Sequence, residues 1–326
     1  MIAYLIRRIL YAIPILIGVN LITFTLFFVV NTPDDIARLQ LGVKRVTPEA
    51  IEKWKGQHGY DKPLLFNAQA SGVKKISDTI FYDKSVSMFT FDFGYSDDGR
   101  SIGREIQTRM MPSLAIALPT FIVGLAVYLS FALLMTLFRA TALDMAGVAL
   151  CVFLMSISSL FYIISGQFLI GKLWHWVPIS GYGDSMWGSL QFIILPVLIG
   201  IVGGFGASSR WYRAIFLEEA GKDYVRTARA KGLSEMRVLF RHVLKNAMIP
   251  ILTGVVVVIP TLFLGSLLIE SFFGIPGLGS YTIDAINAQD FSIVRAMVFL
   301  GSVLYIVGLI LTDISYTLVD PRVRLQ

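Results

Sequence analysis

The chain is 326 residues long, 55% hydrophobic and only 15% charged, with a mean hydropathy of +0.70. Soluble domains carry about 25% charged residues, so this composition excludes an ordinary water-soluble domain and points to an integral membrane protein. The single Cys151 excludes a disulfide framework, and His58, His175 and His242 are too scattered to build a metal site.

Arg7 and Arg8 precede the first charge-free run, residues 9–33. That run is long, and "VVNTPDD" closes it without a small-residue cleavage pattern, so it reads as a retained first transmembrane helix rather than a signal peptide. A polar segment follows over 34–109. In it, Thr47 as N-cap, Pro48 at the first helical position, Glu49 in the first turn and Gly59 as the stop predict a helix. "FTFDFGYSDDGRS" (89–101) predicts short extended pieces around an Asp-Asp-Gly turn. Charge-free runs then recur at 110–138, 145–171, 185–209, 246–269 and 296–312. The first five of the six runs exceed the roughly 20 residues that cross about 30 Å of hydrocarbon. The sixth is shorter, and Arg295 and Asp313 at its ends are expected to reach the interfaces. The expected fold is all-α integral membrane, with six transmembrane helices.

With six spans both termini share one side, and positive charge near short connections decides which. Arg7, Arg8, Arg139, Arg322, Arg324 and nine Lys/Arg between 210 and 250 lie on the side of the termini. The short opposite loops near 172–184 and 270–295 hold only Lys172 and Arg295. The long segment 31–109, with twelve basic and eleven acidic residues, translocates regardless of its charge. Both termini and the 210–250 loop are therefore expected in the cytoplasm. The layout is a first helix with cytoplasmic N-terminus (1–33), a small extracytoplasmic domain (34–109), and a five-helix core with its cytoplasmic loop (110–326). This orientation accounts for the net charge of +6 without nucleic acid. Trp174, Trp176, Tyr182, Trp187, Trp211 and Tyr212 fit interface belts.

The cytoplasmic stretch "DYVRTARAKGLSEMRVLFRHVLKNAMIP" (223–250) is too charged to cross a bilayer. Asp223 is placed as N-cap of a helix running through Lys231, with Gly232 as its stop and Ser234 as the cap of a second helix. Met236, Leu239, Phe240, Val243 and Leu244 would form one apolar face of that helix, and Arg237, Arg241 and Lys245 a cationic one. A DNA-reading helix-turn-helix is disfavoured because short tethers to two spans keep it from a major groove. An interfacial helix pair against anionic membrane lipid is the bland reading, and a docking surface for a soluble partner is the stronger one.

The same stretch resembles the EAA loop of binding-protein-dependent ABC importer permeases, in the oligopeptide/dipeptide/nickel branch. "YLIRRIL", "TPEAIEKWKGQHGYDKPL", "FGYSDDGRSIGREIQTRMMPS", "WVPISGYG", "ESFFGIPGLGS" and "LVDPRVR" follow in that branch's order, so the resemblance covers essentially the whole chain. With Gly232 aligned on the motif glycine, Arg226, Thr227 and Ala228 stand at Glu-Ala-Ala. His242 to Lys245 then stand where Ile-x-Leu-Pro is the general pattern, so the acidic residue and that proline are missing. "SISSLFY" in span three stands where relatives commonly carry a proline.

The resemblance implies a bacterial cytoplasmic (inner) membrane permease, multi-pass and not an enzyme, that carries di- or oligopeptides, with nickel or another metal chelate as the alternative cargo. It implies as partners a second homologous permease, two ABC ATPase subunits and an extracytoplasmic substrate-binding protein. ATP and Mg would sit on the ATPases, with no cofactor bound by this chain. Asp223, Tyr224, Arg226, Thr227, Ala228, Arg229, Ala230, Lys231, Gly232, Leu233, Ser234 and Glu235 would form the ATPase-coupling segment.

No Gly-x-x-x-x-Gly-Lys-Ser/Thr and no catalytic triad pattern occurs, so energy must come from another subunit. A gradient-driven secondary transporter would want ionisable residues mid-membrane, and the charge-free runs contain none. A non-transporting scaffold would leave the basic loop without a purpose. Pathway candidates are the polar and small residues of the spans: Asn20, Thr23 and Thr25; Ser156, Ser158 and Ser159; and Gly200, Gly203, Gly204 and Gly206. Close helix packing is the competing reading for the serines and glycines. Glu270, Gly274, Pro276 and Gly277 are expected to break span five into an outer gate or a connector.

Overall fold

The structure, a computed structural model, describes residues 2–42, 46–183 and 186–319; the side chain of Trp187 and the residues Arg322 and Arg324 lie outside what is described. It is helical almost throughout. In chain order the helices are α1 (Ile2–Phe24), α2 (Pro33–Leu41), α3 (Pro48–His58), α4 (Lys74–Ser77), α5 (Ile102–Leu137), α6 (Ala142–Met155) and α7 (Ser159–Gly166). They continue with α8 (Met186–Ala220), α9 (Asp223–Ala230), α10 (Glu235–Val238), α11 (Lys245–Val258), α12 (Leu267–Phe273), α13 (Leu278–Asn287) and α14 (Phe291–Val319). Two compact units result: Met1–Arg109 with Tyr281–Ile306, and Met110–Ser280 with Val307–Gln326.

Among the described residues, five helical stretches are long and apolar enough to cross a membrane: Ile6–Val30, Ile102–Leu137, Gly188–Ala220, Glu235–Phe273 and Phe291–Ser315. The sixth is the pair Ala142–Met155 and Ser159–Leu173, which makes one span only if its 87° bend is allowed for. Run 145–171, expected as one transmembrane helix, is thus broken in two by this bend. No proline causes it. The Ser156 hydroxyl and amide both return to the Val152 carbonyl, at 2.9 and 3.1 Å, and Ser158 is extended at φ −66°, ψ 145°. The Tyr162 hydroxyl then donates to the Leu154 carbonyl at 2.7 Å, so an acceptor freed by the break is satisfied across it.

The first unit carries the local signals of the polar segment. The Thr47 hydroxyl accepts the Ala50 amide at 3.3 Å, Pro48 opens α3, and Gly59 stops it in the left-handed region at φ +70°. Thr32 and Asp35 form a capping box at the start of α2. Tyr95 and Ser101 pair as an antiparallel bridge around a turn at Gly99, φ +77°. A core of Phe24, Phe28, Ile36, Ile51, Trp54, Tyr60 and Ile80 holds these pieces together. Arg295, expected to reach an interface, is instead 3% exposed. Its guanidinium donates to the Lys84 carbonyl at 3.2 Å and stacks over Phe28 at 4.6 Å, so protein groups replace water around it.

In the second unit Gly200 and Gly206 of α8 are packing sites. A methyl at Gly200 would abut the Thr120 side chain at 2.8 Å, and one at Gly206 would strike the Cys151 carbonyl. Gly203 faces open space. Trp174 and Trp176 are half exposed or more, with their rings 4.9 Å apart and tilted by 37°, and Trp211 is half exposed.

Candidate functional site

The basic segment folds as a short helix, a glycine turn and a second helix. The N-cap of α9 is Lys222, with Asp223 as its first residue, so the cap falls one position before the one expected from sequence. Lys222 is extended at ψ 153°, and Asp223 supplies first-turn negative charge instead. At the other end the Gly232 amide donates to the Arg229 carbonyl at 2.9 Å and the Leu233 amide to the Ala228 carbonyl at 3.4 Å. That is a Schellman closure, and Gly232 occupies its left-handed position at φ +79°. Nothing lies within 4 Å of where a Gly232 side chain would start, so the glycine answers a backbone demand and not a steric one. Ser234 sits at the N-cap of α10 without a side-chain capping bond.

The second helix is not a separate amphipathic unit. From Glu235 it runs through a π-helical stretch, Leu239–Leu244, into α11 and the fifth span. The wider turn rotates its buried face: Val238, Leu239, Val243, Ala247 and Ile251 are buried, whereas Met236 and Phe240 are about half exposed. Of the apolar face expected from a 3.6 period, Leu239 and Val243 are in the core and Leu244 packs against it, while Met236 and Phe240 turn outward. Val225 and Ala228 pack into the same core, which leaves Arg226, Thr227, Arg229, Ala230, Lys231 and Gly232 exposed. Arg229 clamps Glu235 bidentately across the turn at 2.9 and 3.2 Å. Arg226 reaches only Asp223, at 3.4 Å on an exposed face. Glu219, 8% exposed, accepts from both Lys222 and Tyr224 and so ties the end of α8 to α9. Burial, with Glu219 second, pushes the Tyr224 hydroxyl up to about 12.

Glu270 lies at the other end of the fifth span and is 1% exposed. Its Oε2 accepts the amides of Gly279 and Ser280 at 2.7 and 3.1 Å, and its Oε1 accepts the Ser266 amide at 3.1 Å. The Ser113 hydroxyl bonds the carboxylate and accepts the Leu278 amide at 2.7 Å. One carboxylate thus serves the first turns of α12 and α13, where unpaired amides and helix dipoles favour negative charge. Methyl groups at Gly265 or Gly277 would collide with that carboxylate, so these glycines make room for it. Gly274 ends α12 at φ +64°, and Pro276 is exposed on the turn that follows.

Beside this cage the second unit encloses a cavity of about 470 Å³. Ser113, Thr120, Tyr128, Ser208, Tyr212, Thr261 and Glu270 give it polar edges, and Ile116, Phe121, Leu125, Val258 and Ile269 line the rest. The Tyr128 hydroxyl donates to the Ile201 carbonyl at 2.8 Å. The Thr120 hydroxyl is buried with no partner. Gly204 fronts the same space, where a methyl would sit 2.7 Å from the Tyr128 hydroxyl.

Residues 108–325 match the family described as binding-protein-dependent transport system inner membrane component, and residues 1–92 match its N-terminal counterpart. The chain belongs to this family. A putative peptide transport system permease of Brucella suis is 32% identical over 329 residues, 99% of either chain. The dipeptide transport system permeases of Escherichia coli K12 and Bacillus subtilis are 28% and 29% identical, each over 99% of this chain and at least 98% of their own. The protein is therefore a multi-pass inner-membrane permease of a binding-protein-dependent ABC importer, a transport subunit with no catalysis of its own.

In this permease the sequence-derived pathway candidates scatter. Glu270 and Gly204 border the cavity. Asn20 is buried in the first unit, donating to the Ser85 carbonyl at 3.0 Å, while Thr23 and Thr25 return to carbonyls of their own helix. Ser156 and Ser159 are exposed at the bend between α6 and α7. Sequence reasoning missed Asp144, 5% exposed, which holds Arg213 bidentately at 2.8 and 2.7 Å and takes the Ala140 amide at 3.1 Å. The two residues are 69 apart in the chain, so no local spacing announces them.

Proposed function

We propose that this permease carries small peptides, as the peptide and dipeptide permeases it is similar to are named for doing, and that residues 223–235 are the site where an ATPase subunit engages it. The observation that carries the second part is the Schellman turn at Gly232, which presents exposed Arg226, Thr227, Ala230 and Lys231 on a rigid frame. Glu235 and Arg229 hold that frame closed. In this reading both termini and the 210–250 segment face the cytoplasm, and residues 34–109 form an extracytoplasmic domain that meets the binding protein. The five-helix core, 110–326, pairs with a second, homologous permease, and two ATPases supply ATP and Mg. The cavity bordered by Ser113, Tyr128, Tyr212 and Glu270 is part of the passage, and the turn with Gly274, Pro276 and Gly277 that follows α12 is its outer gate. Its mixed lining suits a cargo with a polar backbone and variable side chains.

Three substitutions at Gly232 test the coupling site. Gly232→Ala meets no steric obstacle and costs only left-handed strain, about 1 kcal/mol. Gly232→Asn tolerates that region, and Gly232→Pro removes the amide bonded to Arg229 and imposes a negative φ. ATPase retention on the purified permease is expected in the order Gly, Asn, Ala, Pro, with about a fivefold loss for Ala. Equal retention and equal peptide uptake in all four would refute the site.

A further inference from the structure

The first unit contains a cavity of its own, about 450 Å³, formed by residues 57–62, 83–99 and the start of α14. That size is within the range of small-ligand sites, roughly 300–1,000 Å³. Its wall holds three cations: Lys62, which pairs with Asp78 and Asp83, and Lys84 and Arg295. The Lys84 ammonium lies over the Tyr60 ring at 5.1 Å, and burial, with Arg295 second, holds it below the usual lysine range. Among the described residues the Arg295 guanidinium, 3% exposed, bonds the Phe291 and Lys84 carbonyls, at 3.3 and 3.2 Å, and stacks on Phe28.

Neither Lys84 nor Arg295 forms an ion pair with a carboxylate among the described residues, because the nearby acids are committed elsewhere. Asp83 pairs with Lys62 at 2.6 Å. Asp290 accepts the amides of Asp97, Ser292 and Ile293 at 2.8, 3.1 and 3.2 Å. Asp97 accepts from Gln40 at 3.0 Å. A buried guanidinium and a partly buried ammonium with no carboxylate in contact leave positive charge for a ligand to meet.

We propose that this cavity binds a carboxylate, held between the Lys84 ammonium and the planar fork of Arg295. A single negative charge fits better than a phosphate dianion, since Asp83 and Asp97 line the same space and would repel the second charge. The Phe93 ring in the same wall offers an apolar bed for the carbon chain that bears it. Two sources supply that chemistry: the terminal carboxylate of a free peptide, or an acidic side chain on the binding protein. Both are read as binding, so the outcome is independent of whether peptides are the transported cargo.

The test uses the assembled permease complex in lipid nanodiscs. N-acetyl-dialanine, which keeps only its carboxylate, is titrated against its C-terminal amide in the absence of binding protein. In parallel, the affinity of cargo-free binding protein is measured. A peptide source predicts saturable binding of the acid and not the amide, weakened about tenfold or more by Lys84→Gln and retained by Lys84→Arg. A protein source predicts the same Lys84 dependence in docking affinity with no binding of the free acid. The proposal is overturned if both measurements are indifferent to Lys84→Gln, or if Lys84→Arg loses as much as Lys84→Gln.

Discussion

Glu270→Ala removes the one acceptor shared by the amides of Ser266, Gly279 and Ser280, at a position 1% exposed. A buried amide left without a partner costs about 1–3 kcal/mol, so three of them set a floor of about 3 kcal/mol. Water from the adjoining cavity can reach part of the space, which argues for a value near that floor. Glu270→Gln keeps the shape but turns an NH2 group toward either the Ser266 amide or the Gly279 and Ser280 pair. One donor then faces another, and the charge that two helix N-termini favour is gone, for about 2 kcal/mol. For a unit of this size about 2–4 °C of melting temperature accompanies each kcal/mol. The solubilised permease should therefore melt about 5 °C lower with Gln and about 10 °C lower with Ala. The surviving Gln protein should transport with an unchanged KM, because a carboxylate saturated by backbone donors has no lone pair left for cargo. Differential scanning fluorimetry paired with uptake kinetics reads both quantities. A Gln variant that melts like the parent while shifting cargo KM or selectivity would refute this reasoning and make Glu270 a cargo contact.

Three further outcomes are expected. Asp144→Ala leaves the partly buried Arg213 guanidinium unpaired and should cost about 2 kcal/mol, discounted for its partial exposure. Adding Arg213→Met should recover part of that loss, whereas strictly additive melting shifts would exclude the pair. Gly204→Ala drives a methyl toward the Tyr128 hydroxyl, which its bond to Ile201 keeps from yielding, for about 1–3 kcal/mol; Tyr128→Phe should relieve much of this, and no relief in the double variant would refute the clash. Burial, with Asp290 second, pushes Asp97 up to about 6 from an unfolded value near 3.8, so the folded state holds the proton more tightly. That stability is fully present below pH 3.8 and is lost as pH rises through about 6. A pH series of melting temperatures should show that fall, and Asp97→Asn should flatten it; the same slope in both proteins would place the titrating group elsewhere.

The parts of the fold that rest on composition and local spacing were legible. Spanning length, the Thr47–Gly59 helix and the turn near Gly99 each follow from a few adjacent residues whose conformational preferences agree. The Gly232 stop was legible for the same reason, since a glycine after a run of helix formers marks a left-handed closure. What escaped depends on contacts between distant residues or on departures from the ideal period. The bend at Ser156–Ser158 uses hydroxyl and amide bonds back to Val152, which a search for proline does not find. A 3.6-residue count finds Leu239 and Val243, which are buried, but also selects Met236 and Phe240, which are half exposed, and misses Val238 just before the π-helical stretch Leu239–Leu244. Glu270 was located at the right place in the chain, but its role depends on amides nine and ten residues onward that only a folded turn brings back.

The same long-range closure gives the proposed coupling site a mechanical continuation. Arg229 and Glu235 lie six apart, which is not a helical spacing, and meet only because the Gly232 turn folds them together. From Glu235 the chain is helical into the fifth span and stays so to Val258. It then tightens into the 3₁₀ stretch Ile259–Leu264 and breaks at Gly265, φ +69°. That joint is where the cavity wall begins, since Val258, Thr261, Leu262, Gly265 and Ser266 all line it. Beyond it, the Glu270 cage fixes the first turns of α12 and α13. A displacement applied at the turn therefore has a stiff rod to travel along, an anchored far end, and one compliant segment between them. Compliance next to the cavity is what a passage needs if a push at one end of a span is to change the space at the other. The missing glutamate of the general motif matters little on this account. Arg226, standing in its place, makes only a weak exposed contact, while the turn and the Arg229–Glu235 clamp carry the rigidity.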